Sequence, residues 1–485
     1  MKVDKVSLVV PLEPDYIVMP IFKELKRYRK KAKEKYFEKI YEKHNIEIFK
    51  PRNKTFKPSI GILSLASILE KKGIETNILH QDYLKHIGKW ESALREASES
   101  SDVIGFTAMT VSYNEVLKSL RKVKKINPSI FTIVGGPHVT YLPEQALADG
   151  FDGVIRGEGE QTLDELIFCL KNNDNLEEID GLSIKLNNES LIKPARDRID
   201  GSKIPIPAYH LIPEGMLKNM SIQLQTARGC PFSCNFCVEN GKMTFRNFDS
   251  ILEDIDTIIK YAGNTIWIAD SLTGIPEKRT KDLAEILHNN FPKLSFFFQT
   301  RLGIMSEKMY HHMAKNNFVG IKLGLESFSD NTLNLMGKRQ TYDKYLSELR
   351  IIKDIFPIRE ANFMLGYPGE KLQDCHETIE RLDQVLKEDL IQTISCSMFT
   401  PYPGSQISMN SLENNIILNS KKFENYITKG FPPNYHTKDL SEFEIYSLML
   451  RVIALETDHL YRKSELKSSP GFNPKIIEKY GGKRS

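Results

Sequence analysis

An α/β protein in two consecutive parts is what this sequence predicts: a doubly wound, Rossmann-like sheet over residues 1–175 and a strand–helix barrel over 216–410. Three observations carry the prediction. Short β-branched apolar runs, of the kind buried on both faces, recur along the chain with helical segments between them. The rhythm breaks once, between 176 and 215, which reads as a linker between domains. Finally, apolar residues at 40% supply real cores, and 485 residues are too many for one core.

Taken in order, "KVSLVVPL" is the first strand. The lysine-rich stretch after it places Leu25, Tyr28, Ala32, Tyr36 and Ile40 every three or four residues, one apolar face of a helix whose other faces are charged and solvated. "PSIGILSLASILEKKG" is a helix that opens at Pro58 and Ser59 and stops at Gly73, and "IETNILH" follows as a strand. "DVIGFTA", "IFTIVGG" and "DGVIRGEGE" are three more strands, with helices such as "NEVLKSLRKVKKI" between them. Within the linker, "GLSIKLNNESLI" reads as a small hairpin around Asn187 and Asn188, and "IPIPAYHLIP" as a proline-punctuated connector.

Six further strands begin at "SIQLQTARG" and continue through "NTIWIAD", "LSFFFQTR", "FVGIKLGLES", "REANFMLGYPGE" and "IQTISCSMFTPYPG". At spacings of about 30 to 40 residues, each followed by a helix, they predict a partial (β/α)6 barrel. Residues 411–485 form a C-terminal extension, polar at first and then helical in "LSEFEIYSLMLRVIALETDHLYRK".

A net charge of +4 makes no electrostatic commitment to nucleic acid or membrane. No apolar run reaches the roughly 18 to 20 residues of a membrane span, and the opening residues are too acidic for a signal peptide, so the expected compartment is the cytoplasm. Six cysteines are too few for a disulfide framework. Cys169, Cys375 and Cys396 stand singly in apolar or helical surroundings and read as inert buried thiols. The other three fall within "ARGCPFSCNFC" as Cys230, Cys234 and Cys237.

Three cysteines pose a question of number. Structural zinc takes four protein ligands, and His210 is a fourth by type only. A cubane 4Fe-4S cluster held by three leaves one iron open to a small molecule. The loop also follows a strand, and barrel active sites lie at the carboxyl ends of strands.

Cys230-x3-Cys234-x2-Cys237, with Phe236 before the last cysteine, resembles the radical S-adenosylmethionine (SAM) signature. That resemblance implies a 4Fe-4S cluster whose open iron chelates SAM, and other barrel residues match it. "GLES" at 324–327 resembles the family's fourth-strand motif, which implies SAM binding by Gly324 and Glu326. "QTR" puts Arg301 at the mouth of the third strand. "WIAD" ends in Asp270 where many members carry Gly-Gly-Glu, so Asp270 is a substitute for the residue that binds the SAM amino group.

The first domain resembles the cobalamin-binding modules that precede such barrels in one large subfamily, through "GFTAMT", "VGGPHVTYLPEQAL" and "RGEGE". The cobalamin-binding residues this implies are Thr107, Thr110, Gly135, Gly136, His138, Glu158 and Gly159. No Asp-x-His-x-x-Gly stretch follows the first strand, so the expectation is a cobalt with no protein histidine on its lower face.

What the resemblance implies is a cobalamin-dependent radical SAM enzyme, a methyltransferase acting at an unactivated carbon or phosphorus centre. Methylcobalamin would give its methyl group to a substrate radical made by the 5′-deoxyadenosyl radical. Two other readings stand beside it: a ring-forming or rearranging radical enzyme, and an iron-sulfur or cobalamin sensor without turnover. The implied partners are a small-molecule or peptide substrate and a one-electron reductant such as flavodoxin or ferredoxin.

Overall fold

The computed structural model describes residues 2–13, 19–47, 56–186, 189–217, 223–260, 264–411, 413–419 and 422–466. The chain divides into two compact units. The first comprises Met1–Asp15, Lys50–Ile222 and Thr244–Tyr261, and the second Tyr16–Phe49, Gln223–Met243 and Ala262–Ser485.

In the first unit, β1 (Lys5–Val10), β2 (Glu75–His80), β3 (Val103–Thr107), β4 (Phe131–Gly135) and β5 (Gly153–Ile155) pair in parallel in the order 2-1-3-4-5. The order reverses at β1 and β3, which creates a crevice at their carboxyl ends. Near-continuous burial of β1 and β3 fits strands covered on both faces. Val6, Leu8, Val103 and Ile133 pack with Ile62, Ala66 and Leu69 of the helix Ile60–Lys71 and with Leu163 and Leu166 of the helix Glu160–Asn172. Ser59 caps the first of these helices by accepting from Ile62 N, and Gly73 ends it at φ +72°.

Residues expected as a linker are largely part of this unit. β6 (Leu182–Leu186) and β7 (Glu189–Leu191) extend the sheet beyond β5 as antiparallel strands. Leu182 and Ile184 are buried in the same core, which is why the hairpin docks instead of standing free. Its turn, at Asn187 and Asn188, lies outside the described residues.

The second unit begins at β8 (Gln223–Leu224). Two-residue strands follow, β9 (Ala227–Arg228) in this unit and β10 (Thr244–Phe245) in the first. Then β11 (Thr265–Ile268), β12 (Ser295–Thr300), β13 (Phe318–Glu326), β14 (Ile358–Leu365) and β15 (Thr393–Met398) pair in parallel, in chain order, with β8 at one edge. Each connection carries a helix, as in a partial barrel. Burial alternates along β12, β13 and β14. Phe296, Phe298, Leu323, Leu325, Phe363 and Leu365 are buried on one face, and Gln299, Lys322, Glu326, Glu360 and Asn362 lie half-buried on the other.

The lysine-rich helix, Pro20–Lys43, belongs to this second unit although its sequence interrupts the first. Ala32, Tyr36 and Phe37 pack with Ile358 of β14 and with Leu460 and Tyr461 of the C-terminal helix Glu442–Ser464. The edge strand β15 is closed by side chains. Ile394 N donates to Glu456 Oε1 (2.9 Å), and Arg29 Nη2 donates to Ile394 O (2.6 Å). Arg29 also holds Glu456 through both carboxylate oxygens (2.5 and 2.8 Å), satisfying a strand edge that would otherwise invite pairing.

Candidate functional site

The three cysteines sit on the loop that leaves β9 at the carboxyl end of the barrel sheet. Its root is clamped by Asp270, just past β11. Thr226 N (2.6 Å) and Ala227 N (3.0 Å) both donate to Asp270 Oδ1, and Thr226 Oγ1 donates to Oδ2. Burial pushes the Asp270 carboxyl up to about 6 despite these bonds. Both of its oxygens are therefore spent on the chain leading into the cysteine loop.

Farther out, the loop is pinned to segments that follow β13 and β15. Asn235 N donates to Met336 O (3.3 Å), Asn235 Nδ2 to Leu335 O (3.0 Å), and Ile407 N to Asn235 O (3.1 Å). The Phe236 ring stands edge-on to Tyr367 at 6.4 Å, and the Arg301 guanidinium lies 4.0 Å over Phe232. Cys230, Cys234 and Cys237 are free and partly buried. Burial raises the pKa of Cys230 and Cys237, and the neighbouring sulfurs raise both further. Thiols that oppose one another's ionisation suit a cationic iron-sulfur core, which removes that repulsion when it binds.

Four sulfurs 2.3 Å from one zinc would stand about 3.8 Å apart. Among the described residues, no three or more His, Cys, Asp or Glu side chains stand gathered as they would around a bound metal ion.

Glu326 ends β13 at φ +69°, where the register shifts between Gly324 and Glu326. This left-handed conformation is strained for a non-glycine residue. Lys338, which sequence reasoning missed, secures it. The Lys338 Nζ donates to Gly324 O (2.7 Å), lies 3.6 Å from Glu326 Oε1, and is only 4% exposed. Arg301 Nη2 in turn donates to Lys338 O, while Arg301 Nε is buried with no hydrogen-bond partner. Burial raises the Glu326 pKa, with Lys338 the first of the groups opposing it. Gly324, Glu326, Arg301, Phe236 and the cysteine loop thus share one neighbourhood. The only advance signal for Lys338 was a charged residue in "LMGKRQ", placed after the helix Asp330–Leu335.

The loop after β14 has its own anchor. Glu370, fully buried, accepts from Gly366 N (2.7 Å), Tyr367 N (3.1 Å) and Thr332 Oγ1 (3.1 Å). Burial pushes its carboxyl up to about 7. Of the single cysteines, Cys375 and Cys396 are buried as expected, whereas Cys169 is partly exposed.

In the first unit, the expected ligand residues lie along the carboxyl edge of the sheet. Gly136, at φ +105°, approaches β3 so closely that a Cβ would stand 2.8 Å from Ala108 O and 3.1 Å from Thr107 Oγ1. Gly135 ends β4, and Gly159 begins the helix after β5, where its carbonyl accepts from Leu163 N (2.8 Å). Glu158 accepts from Ile199 N (2.9 Å) and Arg198 Nη1 (3.2 Å). His138 is only 1% exposed. Its ring centroid is 4.2 Å from that of Tyr113, its Nδ1 is 3.3 Å from Thr110 Oγ1, and burial pushes its pKa down to about 4. The edge is thus glycine-rich and half-buried at Gly135 and Gly136, with His138 packed beside it. No helix among the described residues is long and apolar enough to cross a membrane.

A doubly wound sheet joined to a six-stranded parallel barrel with this cysteine loop defines a class of redox enzyme, and family comparisons specify it. Residues 54–167 match the B12 binding domain, and residues 224–382 match the radical SAM superfamily. The chain thus carries a B12-binding domain followed by a radical SAM domain, the arrangement of radical SAM enzymes that use a 4Fe-4S cluster, SAM and cobalamin and are related to methyltransferases. It is 27% identical over 379 residues to an uncharacterized methyltransferase of Pyrococcus horikoshii, covering 74% of this chain and 80% of the relative. It is 25% identical over 399 residues to the anaerobic magnesium-protoporphyrin IX monomethyl ester cyclase of Rubrivivax gelatinosus, covering 78% and 70%. Its fold is similar to that of the radical S-adenosylmethionine methyltransferase TsrM of Kitasatospora setae, solved with cobalamin and a [4Fe-4S] cluster bound. That match has a TM-score of 0.63 at 15% identity and covers 86% of this chain and 79% of the other.

Proposed function

We propose that this enzyme cleaves SAM reductively and methylates an unactivated carbon or phosphorus centre of a small molecule or peptide. It would work in the cytoplasm, with flavodoxin or ferredoxin as electron donor. The observation that carries the reading is the braced loop of three partly buried thiols at the carboxyl end of the barrel sheet, in a chain that also bears a cobalamin-binding domain. When bound, the cluster supplies the electron that splits SAM to methionine and a 5′-deoxyadenosyl radical, and the corrinoid supplies the methyl group.

The chain's own part is placement. Cys230, Cys234 and Cys237 hold the cluster, and Asp270 and Asn235 fix the loop that carries them. Glu326, held by Lys338, and Arg301, with its unspent Nε, take polar groups of SAM, while Phe236 and Gly324 shape the space around it. Thr107, Thr110, Gly135, Gly136, Glu158 and Gly159 form the edge on which the corrinoid rests, and His138 supports it from below.

The cyclase relative favours one alternative, ring formation. Product analysis separates the two. Anaerobically reconstituted protein, given reductant and methyl-deuterated SAM in the presence of cell-extract metabolites, should yield 5′-deoxyadenosine, S-adenosylhomocysteine and a labelled product. Ring formation would give 5′-deoxyadenosine without methyl transfer. A Cys230→Ala, Cys234→Ala, Cys237→Ala triple variant that still made 5′-deoxyadenosine would remove the reading altogether.

A further inference from the structure

Among the described residues at the strand exits of the first unit, Met109 is a large apolar side chain turned to solvent. Met109, directly after β3, is 50% exposed, whereas its neighbours Ala108 and Thr110 are buried at 0% and 7%. A single exposed apolar residue carries no message by itself. Met109 differs in its place and its support. β3 adjoins β1 where the strand order reverses, which is where doubly wound sheets take their ligands. The loop is also braced from both sides. Ala108 N donates to Gly135 O (2.8 Å), and His138 N donates to Ala108 O (3.1 Å). Met109 N donates to Ser112 Oγ (3.3 Å), whose hydroxyl returns a bond to Met109 O (3.2 Å). A backbone fixed this firmly presents its thioether by construction.

Resting on the cobalamin reading above, we infer that Met109 lies against the lower face of the corrin ring and covers the cobalt there in place of a protein nitrogen. A long, polarizable side chain packs well on a flat, largely apolar macrocycle and adapts to its puckering. The histidines of the strand exits cannot compete in this structure. His80 ends β2 at 3% exposure and His138 follows β4 at 1%. A cobalt free of a strong lower ligand suits a centre that must accept and release a methyl group.

The test uses full-length protein loaded with cobinamide, which lacks the nucleotide base, so any nitrogen on cobalt must come from the protein. After reduction to the Co(II) state, wild type and Met109→Ala should show paramagnetic resonance without nitrogen splitting. Met109→His should show a three-line splitting from one coordinated nitrogen. Retained corrinoid with no splitting in Met109→His, or splitting in wild type, overturns the inference while leaving the cobalamin reading intact. Wild type that retains no corrinoid overturns both.

A second measurement needs no variant. On peroxide treatment of wild type, bound hydroxocobalamin should slow sulfoxide formation at Met109 by roughly tenfold. Met409, 73% exposed in the second unit, serves as the internal reference. Equal rates at Met109 with and without bound corrinoid would also overturn the inference.

Discussion

Replacing Asp270 with asparagine should make the protein more stable at pH 8 and leave it nearly unchanged at pH 4. The two N–H groups on Oδ1 can stay on the amide oxygen, and the amide nitrogen can donate to Thr226 Oγ1, whose hydroxyl rotates to accept. What changes is the cost of a buried charge. Burial raises the carboxyl from an ordinary 3.8 to about 6. A raised carboxylate costs nothing below the lower value, and its penalty grows as pH climbs from about 4 to 6. At about 1.4 kcal/mol per unit, the full penalty is roughly 3 kcal/mol above pH 6, and the asparagine variant escapes it. Asp270→Ala should instead lose stability at both pH values, because it strands three donors at about 1 to 3 kcal/mol each. The assay is urea unfolding read by Trp267, on the neighbouring β11, in a Trp90→Phe background, with SAM titration of the folded variants alongside. Unaltered stability with weakened SAM binding in Asp270→Asn would refute the clamp and return Asp270 to the SAM-binding role that the family resemblance implies.

Lys338→Met should weaken SAM binding about 10- to 100-fold by calorimetry, because it frees Gly324 O and leaves the strained Glu326 unsupported; Glu326→Gln should lower affinity as well, and unchanged affinity in both would make this cluster purely structural. Arg29→Met should cost roughly 3 to 5 kcal/mol in the same unfolding assay, since Glu456 loses its partner at 1% side-chain exposure, and adding Glu456→Gln should recover part of that loss.

The sheets were legible because buried parallel strands write themselves as apolar runs: β1 to β5 and β11 to β15 coincide with such runs, the run "SIQLQTARG" divides into the two-residue β8 and β9, and β10 was not foreseen. Allegiance was not legible. The stripe Leu25, Tyr28, Ala32, Tyr36 and Ile40 announced that one helix face is buried, but an amphipathic period says nothing about what covers it. The hairpin of β6 and β7 looked like connector because its strands are short, and only the sheet edge beside it explains their burial. At the barrel mouth the cysteine spacing was plain, since ligation chemistry fixes it in sequence. Lys338 was invisible for the opposite reason: its partners Gly324 and Glu326 lie 14 and 12 positions away and meet it only after β13 and the helix Asp330–Leu335 have folded.

The union of Arg29 with Glu456 across 427 positions also sets a schedule for synthesis. At about 5 to 20 residues per second, the ribosome needs roughly 20 to 85 seconds to deliver the carboxylate after the guanidinium has been made. Throughout that interval the helix Pro20–Lys43 has no finished partner for its apolar stripe, and β15, once made, waits for Glu456 to cap its outer edge. A helix that must wait so long is served by charge on every remaining face, which keeps it hydrated and discourages it from clustering with nascent neighbours. The density of lysine and glutamate between 23 and 43 can then be understood as protection during biogenesis, needed most before the native contacts exist.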